Sequence, residues 1–284
     1  MLSIVLALSS AVAFGMSDFA GGLASRRVEA LRVVLVSYPI SAVVIGVAAP
    51  FVGGETTTQA LLWGVSSGVV MALAMWWFYL ALAEGPMSVV SPLTAVLVAG
   101  LPVVVGLFTG ERFSPLGGVG IVAALGAVLL VSRESSDEYS RRRSRALTPR
   151  VVRLSLGAGA CFALSFIFTH QISSDSGLWP LFAARLIASL IVVLAALFTR
   201  QLTPIRGWPL TLATGVGLLD VVANVTLLYA FHAGMLSLVS VLVSLYPAIT
   251  VGLAVVVLRE RVTRTQTFGL TLAAIAVTLI AIAG

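Results

Sequence analysis

Long apolar runs dominate this sequence, and they constrain its fold more than any other feature. Ten runs of roughly 20 residues follow one another, separated by short breaks that contain Gly, Pro or a few charges, and about 20 apolar residues make one helical membrane crossing. Hydrophobic residues make up 59% of the chain and charged residues 10%, whereas a soluble domain has about 25% charged residues. Most of this chain therefore needs lipid as its solvent.

The apolar runs predict an all-α membrane protein with ten transmembrane helices. An α-helix satisfies its backbone hydrogen bonds within one segment, as a lipid environment requires, and the runs lack the alternation typical of a transmembrane β-strand. The predicted spans are 2–23, 31–52, 60–83, 87–109, 116–132, 151–173, 178–199, 208–231, 235–258 and 267–284.

The basic residues indicate how the helices are oriented. The chain has 17 basic residues, all of them arginine, and alternate loops hold nearly all of them. Only Arg112 falls on the opposite side, and Arg185 lies inside a predicted span. By the positive-inside rule, we expect the arginine-rich side, including the polar linker 133–150, to face the cytoplasm of a plasma (inner) membrane. The linker suits an anionic leaflet better than nucleic acid, since Tyr139 is its only aromatic residue.

A phrase of small residues occurs twice in the chain. Residues 81–93 read ALAEGPMSVVSPL, and residues 230–242 read AFHAGMLSLVSVL, with Ala, Gly, Ser, Val, Ser and Leu at the same offsets. Glu111-Arg112 and Glu260-Arg261 continue the match. Each copy ends a set of five spans, an odd number, so the second copy would enter the membrane from the opposite side. This predicts two inverted five-helix repeats, 1–132 and 151–284, joined by the linker.

In the order of these features the chain resembles the EamA-type transporters of the drug/metabolite transporter superfamily. The resemblance implies a ten-helix bundle in which helices 1, 3, 4, 6, 8 and 9 surround a central cavity. It also implies secondary-active export of small organic solutes such as amino acids, metabolites or drugs by alternating access. A lipid or lipid-linked-sugar flippase of the same superfamily is the alternative. We expect a monomer in the lipid bilayer with a small-molecule substrate.

Enzymatic and metal chemistry find little support in the sequence. An intramembrane hydrolase needs a nucleophile with a base or a metal cluster, but the two histidines, His170 and His232, lie at span ends without a metal-binding spacing. No phosphate-binding Walker motif is present, and Cys161 is the only cysteine. We therefore expect no enzyme activity, cofactor or resident metal.

Three ionisable residues lie inside predicted spans, where charges are costly and usually functional. Asp220 is near the centre of span 8, and Asn224 follows on the same face by its four-residue spacing. Asp18 is near the arginine-rich end of span 1, within reach of Arg26 or Arg27. Arg185 could pair with Asp220, which is one hypothesis. The other is that Asp220 exchanges a proton, which makes protons the candidate coupling ion.

Aromatic and proline residues complete the candidate transport path. In the cluster Trp76-Trp77-Phe78-Tyr79, at most two side chains can face a cavity, and an interfacial belt is the competing interpretation. A proline inside a helix frees backbone carbonyls, which a water-filled cavity can receive. Small pairs such as Gly120-x3-Ala124 and Gly269-x3-Ala273 are typical of helix packing. The candidate residues are Ser17, Asp18, Trp76, Tyr79, Pro92, Arg185, Asp220, Asn224, Tyr229, Tyr246 and Pro247.

Overall fold

The computed structural model describes residues 1–85, 87–132, 148–198, 204–259 and 263–283, and in these residues the fold is all-helical. The helices are α1 (Leu2–Ser25), α2 (Ala30–Val52), α3 (Thr58–Glu84), α4 (Met87–Phe108), α5 (Pro115–Val131), α6 (Pro149–His170), α7 (Trp179–Phe198), α8 (Trp208–Ala233), α9 (Leu236–Val243), α10 (Tyr246–Leu258) and α11 (Arg264–Ala283). The linker segment 133–147 and the Glu260-Arg261 turn lie outside the described residues.

The number of membrane-spanning segments agrees with the prediction. Within the described ranges, nine segments are long and apolar enough to cross a membrane, with α9 and α10 together forming the segment Leu236–Leu258. The shorter apolar helix α5 is the tenth. The all-α membrane fold is therefore confirmed, with ten segments in the predicted order.

The two halves of the chain pack against each other more than within themselves. The most extensive helix pairs are α1 with α8, α5 with α11, and α3 with α6, and each joins the first half to the second. In a repeat, α1, α2 and α3 of the first half correspond to α6, α7 and α8 of the second. With each helix replaced by its counterpart, the α1–α8 pair becomes the α6–α3 pair and the α3–α7 pair becomes the α8–α2 pair, and all four pairs are present. This exchange is expected of a repeat, while the opposite insertion of the two copies stays a prediction.

Glycines let helices of the two halves approach closely, as the small-residue pairs predict. A Cβ atom at Gly120 would lie 2.8 Å from Ile280 Cγ1, and one at Gly269 would lie 3.0 Å from the backbone nitrogen of Val131. Lipid gives helices no hydrophobic reason to associate, so such close contact must supply van der Waals energy. Close contact at a glycine of each helix therefore stabilises the α5–α11 pair.

Buried serines add hydrogen bonds to the two equivalent pairs. Ser10 Oγ on α1 donates to the carbonyl of Ala223 on α8 at 2.8 Å. On α3, Ser67 Oγ is 3.0 Å from both Ser165 Oγ and Thr169 Oγ1 of α6. Interhelical hydrogen bonds of this kind contribute about 0.6 kcal/mol each in a membrane.

Two of the differences between the helices and their predicted spans have identifiable reasons. The last helix begins at Arg264 rather than 267, because Thr263 and Gln266 cap it reciprocally: Thr263 N donates to Gln266 Oε1, and Gln266 N donates to Thr263 Oγ1. The predicted span 235–258 is interrupted after Val243 and resumes at Tyr246. Pro247 lacks the N–H that would continue the ladder.

Candidate functional site

A buried ion pair lies in the middle of the bundle. Arg185 Nη2 on α7 is 3.1 Å from Asp220 Oδ1 on α8, and the two side chains are only 4% and 10% exposed. Of the two hypotheses for Asp220, the structure shows the geometry of the first, because the carboxylate is paired. A charge at membrane depth is usually partnered in this way.

Two more side chains bind the same carboxylate. Ser41 Oγ of α2 donates to Asp220 Oδ2 at 2.7 Å, and Asn224 Nδ2 donates to Oδ1 at 3.0 Å. Both carboxylate oxygens are thus occupied, and the four residues tie α2, α7 and α8 together. The i, i+4 spacing predicted Asn224, whereas Ser41 was missed because its partners lie on other helices.

Tyr38 completes the surroundings of the arginine. The Arg185 guanidinium lies over the Tyr38 ring at 5.4 Å from its centroid, a cation–π geometry. Arg185 Nε is buried without a hydrogen-bond partner among the described residues. Tyr38 and Ser41 are three residues apart on α2 and therefore share the face of this helix that meets the ion pair.

Asp18 has a different environment, because it is exposed while facing the inside of the bundle. Asp18 is exposed. The side of α1 opposite to it, at 100° per residue, holds exposed apolar residues, among them Val5, Val12 and Met16. Gly15, on the same side as Asp18, packs closely on Ile249 of α10. Asp18 therefore lies on the side of α1 that meets other helices rather than on its lipid-facing side.

Two tyrosines from other helices are the electrostatic neighbours of Asp18. They are Tyr79 of α3 and Tyr246, the first residue of α10. Tyr79 also interacts electrostatically with Tyr38, and Tyr38 with Arg185 and Asp220. A chain of polar groups thus runs from Asp18 through the tyrosines to the buried ion pair.

Arg27, one of the two arginines expected near Asp18, contacts an aromatic ring instead. Arg27 lies over the Trp208 ring at 5.6 Å, and Ser17 Oγ donates to the carbonyl of Val216 on α8 at 3.4 Å. Ser17 therefore joins α1 to α8 next to Asp18.

The other candidate residues lie outside this polar chain. Tyr229 packs edge-on against His232 near the end of α8, and Pro247 borders a crevice with residues of α5. Pro92 lies inside α4, which continues unbroken past it. Trp76 is 44% exposed and shares its stripe of α3 with the exposed Leu62 and Leu73, a position typical of a lipid-facing or interfacial aromatic residue.

The α9 helix begins on a carboxylate supplied by the other half of the chain. Glu111, between α4 and α5, accepts hydrogen bonds from Leu236 N at 2.6 Å and from Ser237 N at 3.1 Å. Negative charge at a helix N-terminus is favourable because of the unsatisfied N–H groups and the helix dipole. In the sequence, Glu111 stands out only as part of the repeated Glu-Arg pair. Its role at α9 could not be predicted, since its partners lie 125 and 126 residues away.

Metal binding finds no support in the described residues, which contain no group of three or more His, Cys, Asp or Glu side chains placed to hold an ion. The site is instead an ion pair, an open carboxylate and three tyrosines. Such a set can bind a solute by charge and ring contact.

Comparisons with known proteins give one family match and one shared fold. Residues 150–282 match the family model described as the EamA-like transporter family. A solved crystal structure is similar over 99% of this chain and 96% of its own, with a TM-score of 0.78 and 15% sequence identity, which shows a shared fold. No curated protein sequence matches the chain.

Proposed function

Because residues 150–282 match the EamA-like transporter family model, we propose that the chain is a member of this family and exports small organic solutes by secondary-active alternating access. The observation that carries this proposal is the polar chain at membrane depth, from the open carboxylate of Asp18 to the ion pair of Arg185 and Asp220. Ionisable groups inside a membrane mark substrate and ion pathways.

The packing of the interrupted segment supports a direction of opening. Nearly every residue of α9 is buried, whereas none of α10 is. The α10 half ends on the arginine-rich side, and Gly22 and Ser25 on the Asp18 side of α1 are also exposed there. This pattern favours a path that is open to the arginine-rich side and closed on the other. A solute taken up from the cytoplasm for export would enter there.

Coupling to protons is part of the same proposal. Arg185 supplies the counter-charge of the Asp220 carboxylate at 3.1 Å. If α7 and α8 separate during the transport cycle, the carboxylate loses its counter-ion and can take a proton. Asp220→Asn should then abolish transport driven by a pH gradient while solute counterflow continues. Undiminished pH-driven transport would rule this role out.

Proteoliposome counterflow tests the main proposal. Purified protein is reconstituted with an internal pool of one solute, and entry of the labelled solute is measured across amino acids, organic cations and nucleosides. We expect saturable counterflow for at least one soluble class. Movement of fluorescent lipid analogues alone, with no soluble solute moving, would favour the flippase instead.

The orientation that export requires is tested separately by cysteine labelling. Single cysteines at Thr57 and at Ser136 of the linker, in a Cys161→Ala background, are treated with a membrane-impermeant thiol reagent in intact cells. We expect only Thr57→Cys to react. Labelling of Ser136→Cys from outside would reverse the proposed orientation and leave the fold unaffected.

A further inference from the structure

Glu111 joins the two halves of the chain at the end of the bundle opposite the arginine-rich side, which is called the outer end below. It lies in the turn between α4 and α5. Its carboxylate accepts hydrogen bonds from the first two N–H groups of α9, those of Leu236 at 2.6 Å and of Ser237 at 3.1 Å. The turn is itself fixed to α4, because Glu111 N donates to the carbonyl of Gly106 at 2.8 Å. The carboxylate therefore connects the outer ends of α4 and α9.

The two helices approach each other closely at this contact. A Cβ atom at Gly106 would overlap both Ser237 Oγ and Glu111 Oε2. The backbone of α4 therefore passes directly beside the first turn of α9 and the carboxylate that caps it. Only a glycine at position 106 leaves room for all three groups.

The contact lies where two groups of helices meet. α6 packs on α3 and α4, whereas α1 packs on α8 and α10. α9 packs on α1 of one group and on α4 of the other. Nearly every residue of α9 is buried, while α10 beyond the interruption has none. The first turn of α9 must therefore leave α4 before the space between the two groups can open at the outer end.

The chemistry of the contact suits a reversible closure. The first N–H groups of a helix have no partner within the helix, and a negative charge next to them is favourable. The Glu111 carboxylate thus stabilises the closed arrangement. Glu111 is only half-buried, so water can satisfy the same N–H groups when the turn moves away.

We infer that Glu111 is a positioning residue of the transport cycle. Its carboxylate holds the first turn of α9 against α4 and keeps the path closed at the outer end, and loss of its two hydrogen bonds opens the path there. The inference rests on the proposed alternating access and names the contact that controls one of its two openings. Glu111 acts through the position of α9 rather than on the solute.

The accessibility of a cysteine below the contact tests the inference in the full-length protein. Ser240 follows Ser237 by three residues on the same face of α9 and is fully buried. Its Oγ has no hydrogen-bond partner among the described residues, so Ser240→Cys removes none. In a Cys161→Ala background, a membrane-impermeant thiosulfonate reagent is added on the side of the membrane from which Thr57→Cys reacts. The rate of its reaction with Ser240→Cys is measured.

Two variants break the contact in different ways. Glu111→Gln keeps the shape of the side chain but turns an NH2 group toward one of the two N–H groups. Because modification requires opening, its rate follows the population of the open state, and we expect an increase of about tenfold. Gly106→Ala displaces the carboxylate by overlap and should raise the rate without changing any charge. The matched control Glu55→Gln removes the charge of an exposed glutamate in the turn between α2 and α3 and should leave the rate unchanged.

A second cysteine separates opening from general loosening of the bundle. Ser10 is also fully buried, and its Oγ donates to a carbonyl of α8, so it lies between two helices of the same group. Ser10→Cys should react slowly in every variant. An equal rise at Ser10→Cys and Ser240→Cys would mean a merely structural role and overturns the inference, as do equal rates at Ser240→Cys with and without Glu111→Gln.

The outcomes also separate this inference from the proposed function. If solutes show counterflow but Glu111→Gln leaves the rate at Ser240→Cys unchanged, the transport function stands and the role of Glu111 is wrong. If the rate rises selectively at Ser240→Cys but no solute moves in any assay, Glu111 controls the outer opening and the transport function fails.

Discussion

The ion pair between Arg185 and Asp220 makes the most direct prediction about stability. Asp220→Asn keeps the shape of the side chain and can still accept a hydrogen bond from Ser41, but it leaves the guanidinium of Arg185 buried at 4% exposure without a counter-charge. Arg185→Gln creates the reverse defect, an aspartate without a cation. Combining the two changes leaves a pair of neutral amides in the same space.

The size of each effect follows from the burial of the pair. Removing one partner of a buried ion pair costs about 3–5 kcal/mol, because the remaining charge is desolvated and uncompensated. We expect each single change to lower the free energy of unfolding by about 3 kcal/mol, at the low end of that range, since the side chain at position 220 still accepts a hydrogen bond from Ser41 or Asn224. The double variant should cost little more than one single change, which corresponds to a coupling energy of about 2–3 kcal/mol.

Unfolding in mixed micelles, driven by increasing SDS and followed by tryptophan fluorescence, measures these free energies. As a control, Thr214→Ala on the exposed side of α8 should add to Asp220→Asn within about 0.5 kcal/mol, as independent sites do. Additivity of Arg185→Gln and Asp220→Asn within the same limit would refute the reasoning, because it would mean that the two charges do not stabilise each other.

Two further predictions use the same unfolding assay. Gly68→Ala would place its Cβ atom 2.3 Å from the carbonyl oxygen of Ala184, so we expect overpacking to lower the free energy of unfolding by about 1–3 kcal/mol. The control Gly22→Ala meets nothing within 4 Å and should be neutral or stabilising by up to about 1 kcal/mol. Equal effects at both glycines would contradict the packing account. Glu111→Ala leaves two N–H groups at the start of α9, including that of Ser237, without their acceptor, and it should lower the free energy of unfolding by about 1.5–3 kcal/mol. An unchanged midpoint of the SDS unfolding curve would show that water replaces the carboxylate.

Most of the fold could be predicted because the membrane imposes one simple rule. A run of about 20 apolar residues must become a helix, so the order and number of the segments follow from the sequence. The interruption near Pro247 was harder to predict, since Pro92 and Pro102 occur inside α4 without interrupting it. The three-residue error at the start of α11 was avoidable, because Thr263 and Gln266 have the spacing of a capping box.

The site could be predicted in part, and the limit is physical. Asp18, Arg185 and Asp220 are conspicuous because charge is rare inside apolar runs, and spacing along one helix places Asn224 beside Asp220. Ser41 is one of many serines in the chain, and only the packing of α2 on α8 distinguishes it. Which residues meet across helices depends on rotations that no periodicity within a single span encodes.

The packing of the two halves bears on how this protein is made. Its most extensive helix pairs join a segment of the first half to a segment of the second: α1 meets α8, α3 meets α6, and α5 meets α11. When the first five segments leave the ribosome and enter the bilayer, the helices they will pack against have not yet been synthesised.

During that interval the close-packing surfaces at Gly64, Gly68 and Gly120 face lipid, and the N–H groups that Glu111 will accept from do not exist. Tertiary folding must therefore wait until the helices of the second half have been translated, and α11 is the last of the described helices to arrive. A chain released at the linker would be an inserted but unassembled intermediate, recognisable by membrane quality-control proteases. The two halves, expressed as separate polypeptides in one cell, should protect each other from degradation.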